Sequence, residues 1–206
     1  MPRSPWRRGI IPSLPEAAPR PLNELEFAEV VRIVPAKWKP VILLLACTGL
    51  RWGELRALRW EDVRELPYPH LVISRSHSGP TKSRKVREVP LLPEAIEVLS
   101  SLPTGTGLVF SGRGSVMVGE TASFLRSYVL RHSWVKDFHV HRLRHTFALR
   151  WLERGGTKET LQEILGHSTI RLTERYGKLR PWAVAAEAAR IAGSGTVGGT
   201  AKESAS

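Results

Sequence analysis

The 206-residue sequence is long enough for one domain with a hydrophobic core. Its 31 Lys and Arg residues outnumber 19 Asp and Glu residues, giving a formal net charge of +12. This excess favours nucleic acid as the partner, although a basic ribosome-associated or membrane-surface protein would share it. The single cysteine, Cys47, excludes an internal disulfide, should pack as a small hydrophobe, and is typical of a reducing compartment. Every apolar run is far shorter than the roughly 20 residues that span a bilayer.

The first predicted elements follow a Pro/Arg-rich leader, residues 1–21, which is typical of an extended linker. Asn23 and Glu26 form a capping-box pattern and predict the start of a helix that continues to Val34. Two more helices are predicted at about 41–47 and 52–59. The β-rich runs 71–73 and 86–91, separated by His77-Ser78-Gly79-Pro80, then predict a hairpin.

Helical patterns dominate the second half of the chain. The predicted helices there are 93–101, 120–132, 141–154, 157–166, a turn before Tyr176, and 181–192. A short strand is predicted at 108–110, and the Gly, Ser, Thr and Ala tail, residues 193–206, is expected to be disordered. The expected fold class is α+β: a mostly helical domain, residues 22–192, that carries one small antiparallel sheet.

The segment Thr48-Gly49-Leu50-Arg51-Trp52-Gly53-Glu54 contains the first candidate functional residue. Arg51 follows a helix-ending glycine and precedes a new helix, a placement that suits contact with an anion. Glu54 lies three residues later and can pair with Arg51 and fix its orientation. Taken alone, Arg51 could equally be a solvated charge at the start of a helix.

The predicted hairpin concentrates positive charge near its tip. Cations in such a position can reach a phosphate backbone, and a lysine among them could deliver a proton. Charged strands that prevent aggregation are the structural alternative. The cations concerned are Lys82, Arg84, Lys85 and Arg87.

The third cluster, His139-Val140-His141-Arg142-Leu143-Arg144-His145, opens a predicted helix. His141 shares a helix face with Arg144 and with His145 because residues three and four apart are neighbours. The cluster lacks the spacing of a zinc site, and the flanking arginines would repel a cation, so no metal is expected. We expect His139 to be a partly buried, structurally satisfied histidine.

The fourth cluster joins Leu165-Gly166-His167 to Tyr176. Taken alone, Tyr176 could be a core aromatic residue beside Leu172. Together and in this order, the four clusters resemble the tyrosine recombinases, the family of phage integrases and Xer-type recombinases. The resemblance runs from about Leu22 to Leu179, and a single box would be weak evidence.

The resemblance implies the catalytic domain of an integrase-type enzyme that cuts and rejoins DNA through a covalent 3′-phosphotyrosyl intermediate. It implies that Arg51 and Arg144 clamp the scissile phosphate and that Tyr176 is the nucleophile. Lys82, with Lys85 as a rival, matches the lysine that protonates the leaving 5′-oxygen. Residues with the remaining implied roles are His141 and His167 in catalysis, Arg84, Lys85, Arg87 and Arg142 in DNA binding, and Glu54 and His145 in support.

The implied chemistry needs neither a metal nor ATP, because two arginines supply permanent charge and the phosphodiester energy is retained. The implied partners are double-stranded DNA and, on recombining DNA, three further copies of the chain in a tetramer. The implied location is the cytoplasm of a bacterial, archaeal or phage-infected cell.

Three other classes of protein remain possible from the sequence alone, and the last of them is a structural or metal-binding protein. A type IB topoisomerase carries a similar set of residues, although the Leu-Gly-His box and the short spacing to Tyr176 argue against it. A catalytically silent DNA-binding module is the second, and the presence of every expected catalytic residue argues against that. The family usually has a helical core-binding domain before the catalytic domain, whereas here the Pro/Arg leader precedes Leu22. We expect either an excised catalytic domain or a naturally short or truncated protein, and full site selectivity is in doubt in both cases.

Overall fold

A computed structural model describes residues 20–77, 79–80, 86–110 and 122–167. Its helices match the predicted ones in this range to within a few residues at each end. They are α1 (Glu24–Ile33), α2 (Lys39–Thr48), α3 (Trp52–Ala57), α4 (Pro93–Ser100), α5 (Ala122–His132), α6 (His141–Glu153) and α7 (Lys158–Leu165). Short 3-10 turns occupy Ala36–Trp38 and Trp60–Asp62. The predicted tail, the helix at 181–192 and all but the last two residues of the leader lie outside the described residues.

The described strands form two small antiparallel sheets. They are β1 (Val63–Arg64), β2 (His70–Ile73), β3 (Arg75–Ser76), β4 (Gly79–Pro80) and β5 (Arg87–Pro90). The larger sheet has the order β1-β2-β5, with Leu71 opposite Val89, which confirms the predicted antiparallel pairing of the two β-rich runs. β3 and β4 form the second sheet. The strand predicted at 108–110 is wrong, because Leu108 makes only an isolated bridge to Arg59.

Local capping chemistry sets several helix ends where the sequence predicted them. Asn23 Oδ1 accepts from Glu26 N at 2.8 Å, and Asn23 N donates to Glu26 Oε2 at 3.1 Å, so the predicted capping box is confirmed. Thr157 caps α7 by accepting from Thr160 N at 3.2 Å. Gly166 ends α7 with a φ of 61°, a left-handed conformation that glycine adopts without strain.

Helix α2 is the centre of the hydrophobic core. Its residues Val41, Ile42 and Leu44 are fully buried, and the helix packs against α6 on one side and α4 on another. Burial of each such side chain contributes about 1.5–3 kcal/mol to the free energy of unfolding. Cys47 is half-buried and packs against this core, and burial raises the pKa of its thiol. No helix in the described part of the chain is long and apolar enough to span a bilayer.

Candidate active site

A sharp turn between α2 and α3 presents Arg51. Gly49 ends α2 with a φ of 65°, and a Cβ at this position would lie 2.5 Å from the ring of Phe147, so a glycine is required. Arg51 then precedes α3, where its backbone N donates to Glu54 Oε2 at 2.8 Å and its Nη1 donates to Glu54 Oε1 at 3.0 Å. The predicted pairing of Glu54 with Arg51 is therefore confirmed. The Arg51 side chain is 32% exposed, whereas that of Glu54 is 2% exposed.

Arg87 is held beneath this turn. Its Nη1 and Nη2 donate to the two carboxylate oxygens of Glu54 at 3.0 Å and 2.7 Å, and its Nε donates to Ile164 O at 2.7 Å. Burial alone would raise the pKa of Glu54, but the hydrogen bonds and charge of Arg87 and Arg51 outweigh it and lower that pKa. The fork of Arg87 is thus occupied, and 8% of its side chain is exposed. The DNA-binding role predicted for Arg87 stays a prediction.

Arg144 joins the ends of two other helices at the same place. Its Nη1 donates to Gly49 O at 2.6 Å, and its Nη2 donates to Leu165 O at 2.5 Å. These carbonyls belong to the ends of α2 and α7, so the buried guanidinium holds the turn before Arg51 and the turn before His167 in place. Arg51 also contacts the end of α7 directly, because its Nη2 donates to Gly166 O at 3.5 Å.

Two histidines complete the cluster. His141 opens α6, and its ring meets that of His145 edge-on at 4.8 Å, as expected for one helix face. His141 is an exposed residue, yet partial loss of water around its imidazole and the charges of Arg144 and Arg51 lower its pKa to about 4. His167 is half-buried, and loss of water followed by repulsion from the same arginines lowers its pKa to about 3. Both imidazoles are therefore neutral at pH 7.

Arg142 points away from this cluster and is completely buried. Its Nη2 donates to Glu26 Oε2 at 2.8 Å and to Pro21 O at 3.1 Å, its Nε donates to Arg20 O at 3.0 Å, and its Nη1 donates to Lys136 O at 2.9 Å. Burial lowers the pKa of the guanidinium, which the Glu26 carboxylate partly counteracts. These contacts tie α6 to the segment that leads into α1, and the DNA-binding role predicted for Arg142 stays a prediction.

The remaining predictions concern one structural histidine and four site residues. His139 is exposed, with its Nδ1 3.1 Å from Asp137 O, so the expected partly buried histidine is wrong. Lys82, Arg84, Lys85 and Tyr176 lie outside the described residues. Among the residues that the structure describes, no group of three or more His, Cys, Asp or Glu side chains is arranged to hold a metal.

Sequence reasoning missed the carbonyl groups that hold the site's arginines. Gly49 O and Leu165 O receive Arg144, and Ile164 O receives Arg87. Backbone oxygens carry no residue-type signal, so a sequence pattern indicates them only through the two helix-ending glycines beside them, Gly49 and Gly166.

Comparisons with known proteins agree with this geometry. The family described as "Phage integrase family" matches residues 25–181. Tyrosine recombinase XerC of Xanthomonas axonopodis pv. citri (strain 306) is 32% identical over 195 residues, which cover 84% of this chain and 62% of that protein. The integrase of Haemophilus phage HP1 is 33% identical over 143 residues, which cover 68% of this chain and 37% of that one. The chain thus spans less than two thirds of the length of these relatives.

Solved structures share the fold. XerA recombinase superimposes with a TM-score of 0.63 and 26% identity, covering 86% of this chain and 66% of that one. The catalytic domain of bacteriophage HP1 integrase superimposes with a TM-score of 0.60 and 26% identity, covering 86% of this chain and 98% of that domain. The described helices and small sheets therefore have the architecture of a tyrosine recombinase catalytic domain, as the α+β prediction anticipated.

Proposed function

This chain belongs to the phage integrase family, and we propose that it is the catalytic part of a site-specific DNA recombinase that works through Tyr176. The observation that carries the proposal is the convergence of Arg51, Arg144, His141 and His167 where α2, α6 and α7 meet. Two cations beside two neutral imidazoles form a surround suited to a phosphodiester.

In the proposed reaction the Tyr176 oxygen attacks the scissile phosphorus, and the bond from phosphorus to the 5′-oxygen breaks. The tyrosine gives up its proton, for which His141 is the proposed acceptor, because an imidazole with a pKa of about 4 is unprotonated at pH 7. Lys82, or Lys85 in its place, gives a proton to the departing 5′-oxygen. One phosphodiester replaces another, so the reverse attack rejoins DNA without ATP.

The arginines stabilise the transition state of this reaction. Negative charge gathers on the non-bridging oxygens, and Arg51, with 32% of its side chain exposed, can donate to them. Arg144 contributes a fixed positive charge from the floor of the site, and His167 contributes a hydrogen bond. Because guanidinium groups stay charged at every working pH, they can supply the charge stabilisation that a metal would otherwise give.

Double-stranded DNA is the proposed substrate, and a tetramer of the chain on two duplexes is the proposed working assembly. The net charge of +12 supports the first part, since lysines and arginines that neutralise phosphates release condensed counterions and drive binding. The tetramer rests on the resemblance to the family alone.

Trapping of a covalent adduct tests the proposal. The full chain is incubated with a pool of duplexes of random sequence that carry a nick, so that cleavage releases a short fragment and prevents rejoining. We expect a denaturation-resistant protein–DNA adduct with the native chain and none with Tyr176→Phe. An equal adduct with Tyr176→Phe, or no adduct with either chain, contradicts the proposed function, and sequencing the trapped DNA identifies the target site.

A further inference from the structure

One guanidinium, that of Arg87, contacts two of the elements that carry the site. It makes a two-pronged contact with Glu54 at 3.0 Å and 2.7 Å and a third bond to Ile164 O at 2.7 Å. The two side chains are 8% and 2% exposed, so the ion pair is shielded from solvent. Charge-assisted bonds of this geometry hold their partners in a fixed orientation.

Each of these contacts continues to a residue of the site. Glu54 accepts from the backbone N and from Nη1 of Arg51, so the carboxylate that Arg87 holds is the one that orients Arg51. On the other side, a Cβ at Gly166 would lie 3.0 Å from Arg87 Cδ, which places the Arg87 stem against the turn that leads into His167. Arg87 thus contacts both the carboxylate that orients Arg51 and the turn that leads into His167.

We propose that Arg87 is a positioning residue, which sets Arg51 and the turn carrying His167 in a fixed relation to each other without touching DNA. The inference rests on the proposed function, since it concerns the same phosphate site. It assigns to one buried side chain the alignment of two groups that come from distant parts of the sequence.

The chemistry explains why this position needs an arginine. The planar guanidinium presents Nε, Nη1 and Nη2 in one fork, so it can serve a carboxylate and a carbonyl simultaneously. A lysine would keep the charge but could not reproduce the fork, leaving either Glu54 or Ile164 O without its donor. A displacement of about 1 Å at a catalytic group can cost on the order of a hundredfold in rate.

The test compares Arg87→Lys with Arg154→Lys in the full chain. Arg154 also pairs with a carboxylate, through one hydrogen bond to Glu94 Oε1 at 2.6 Å, but 56% and 47% of these two side chains are exposed. We measure the single-turnover rate of adduct formation at saturating DNA, the Kd for DNA, and the melting temperature. We expect Arg87→Lys to slow adduct formation by about a hundredfold, with a Kd within about twofold of the native value, and Arg154→Lys to match the native chain.

Two outcomes overturn the positioning role. A weakened Kd with an unchanged rate at saturation would make Arg87 a DNA contact. A lowered melting temperature with an unchanged rate at saturation, measured well below the melting transition, would make it a residue of the fold alone.

Glu54→Gln tests the same link if Arg87→Lys does not fold. This variant keeps the size of the side chain but removes the ion pair, and we expect the same loss of rate with an unchanged Kd; an unchanged rate overturns the proposal. Where Arg87→Lys and Glu54→Gln both fold, the variant that combines them is also measured. Its fold-loss in the rate of adduct formation should be well below the product of the two single fold-losses, because both substitutions act through one contact. Independent effects that multiply would contradict it.

The native chain, run alongside, separates the two proposals. Failure of the native chain to form an adduct counts against the proposed function, whereas a native adduct with an unaffected Arg87→Lys rate counts against the positioning role alone.

Discussion

Replacement of Arg142 by methionine tests whether this arginine holds the fold, as its contacts indicate, or binds DNA, as its charge suggested. The substitution keeps an unbranched side chain of similar length while removing all the donors of the guanidinium. It leaves the buried Glu26 carboxylate without its 2.8 Å partner. The carbonyls of Arg20, Pro21 and Lys136 also lose their donor.

The structure gives the size of the expected effect. Removal of one partner from a buried ion pair costs about 3–5 kcal/mol. The lower end applies here, because Glu26 keeps the hydrogen bond from Asn23 N at 3.1 Å and Arg20 Nη2 at 3.8 Å. Arg20 and Lys136 are exposed residues, so water can replace the donor at their carbonyls. We therefore expect a loss of about 3 kcal/mol in the free energy of unfolding.

Urea denaturation followed by circular dichroism measures this loss. With a typical slope of about 1–3 kcal/mol per molar urea, the midpoint should fall by about 1–3 M. Arg154→Met is the matched control: its pair with Glu94 is half-exposed, and its loss should be below about 1 kcal/mol. A loss below about 1 kcal/mol for Arg142→Met, together with a salt dependence of DNA binding reduced by about one phosphate contact, would refute the structural role.

Three further predictions concern the site itself. Gly49→Ala should lower the free energy of unfolding by about 2–4 kcal/mol, because it adds left-handed strain and a steric clash in the core; Gly107→Ala has a φ of 85° with open space around it and should show the strain alone. The imidazoles of His141 and His167 should titrate in an NMR experiment near pH 4 and pH 3, below the ordinary value of 6.5. As the pH falls, these histidines take up protons at a higher pH in the unfolded chain than in the folded chain. The two imidazoles therefore contribute fully to the free energy of unfolding above pH 6.5, and this contribution is lost as the pH falls toward 4 and 3. Arg51→Ala should slow adduct formation by about a hundredfold or more while DNA affinity in a binding titration changes little.

Each of these predictions has a contrary result. Equal destabilisation by Gly49→Ala and Gly107→Ala would show that the close approach of the aromatic ring costs nothing. Midpoints near 6.5 for both histidines would show that the arginines and burial do not disfavour the imidazolium. Complete loss of DNA binding in Arg51→Ala would assign to that residue a role in holding the duplex or the fold rather than in the reaction.

Local chemistry explains why so much of the helical layout could be predicted. A capping box such as Asn23 with Glu26 spans four residues, and a left-handed glycine such as Gly166 ends a helix by itself, so both signals are readable in a short window. The strands β1, β3 and β4 have two residues each and were not predicted, because two residues show no alternation.

The site was predictable to the extent that one helix face or one turn contains it. Arg51 with Glu54 and His141 with His145 are neighbours in sequence, and their contacts follow from helix spacing. The contacts that the sequence did not indicate join distant partners: Arg142 pairs with a carboxylate 116 positions away, and Arg87 with one 33 positions away. In a basic sequence, a buried arginine and an exposed arginine both suggest DNA binding. The sequence pattern does not separate them, because burial is a property of the fold.

Peptide mapping of the trapped adduct is the most direct test of the proposed reaction. The adduct is formed in the presence of EDTA, digested with nuclease and protease, and analysed by mass spectrometry for the peptide that carries a nucleotide phosphate. We predict that the phosphate is on Tyr176 and joined to a 3′-oxygen of the DNA, and that EDTA does not reduce the yield. A phosphate on another residue, a 5′-linkage, or loss of the adduct with EDTA would contradict the proposed mechanism.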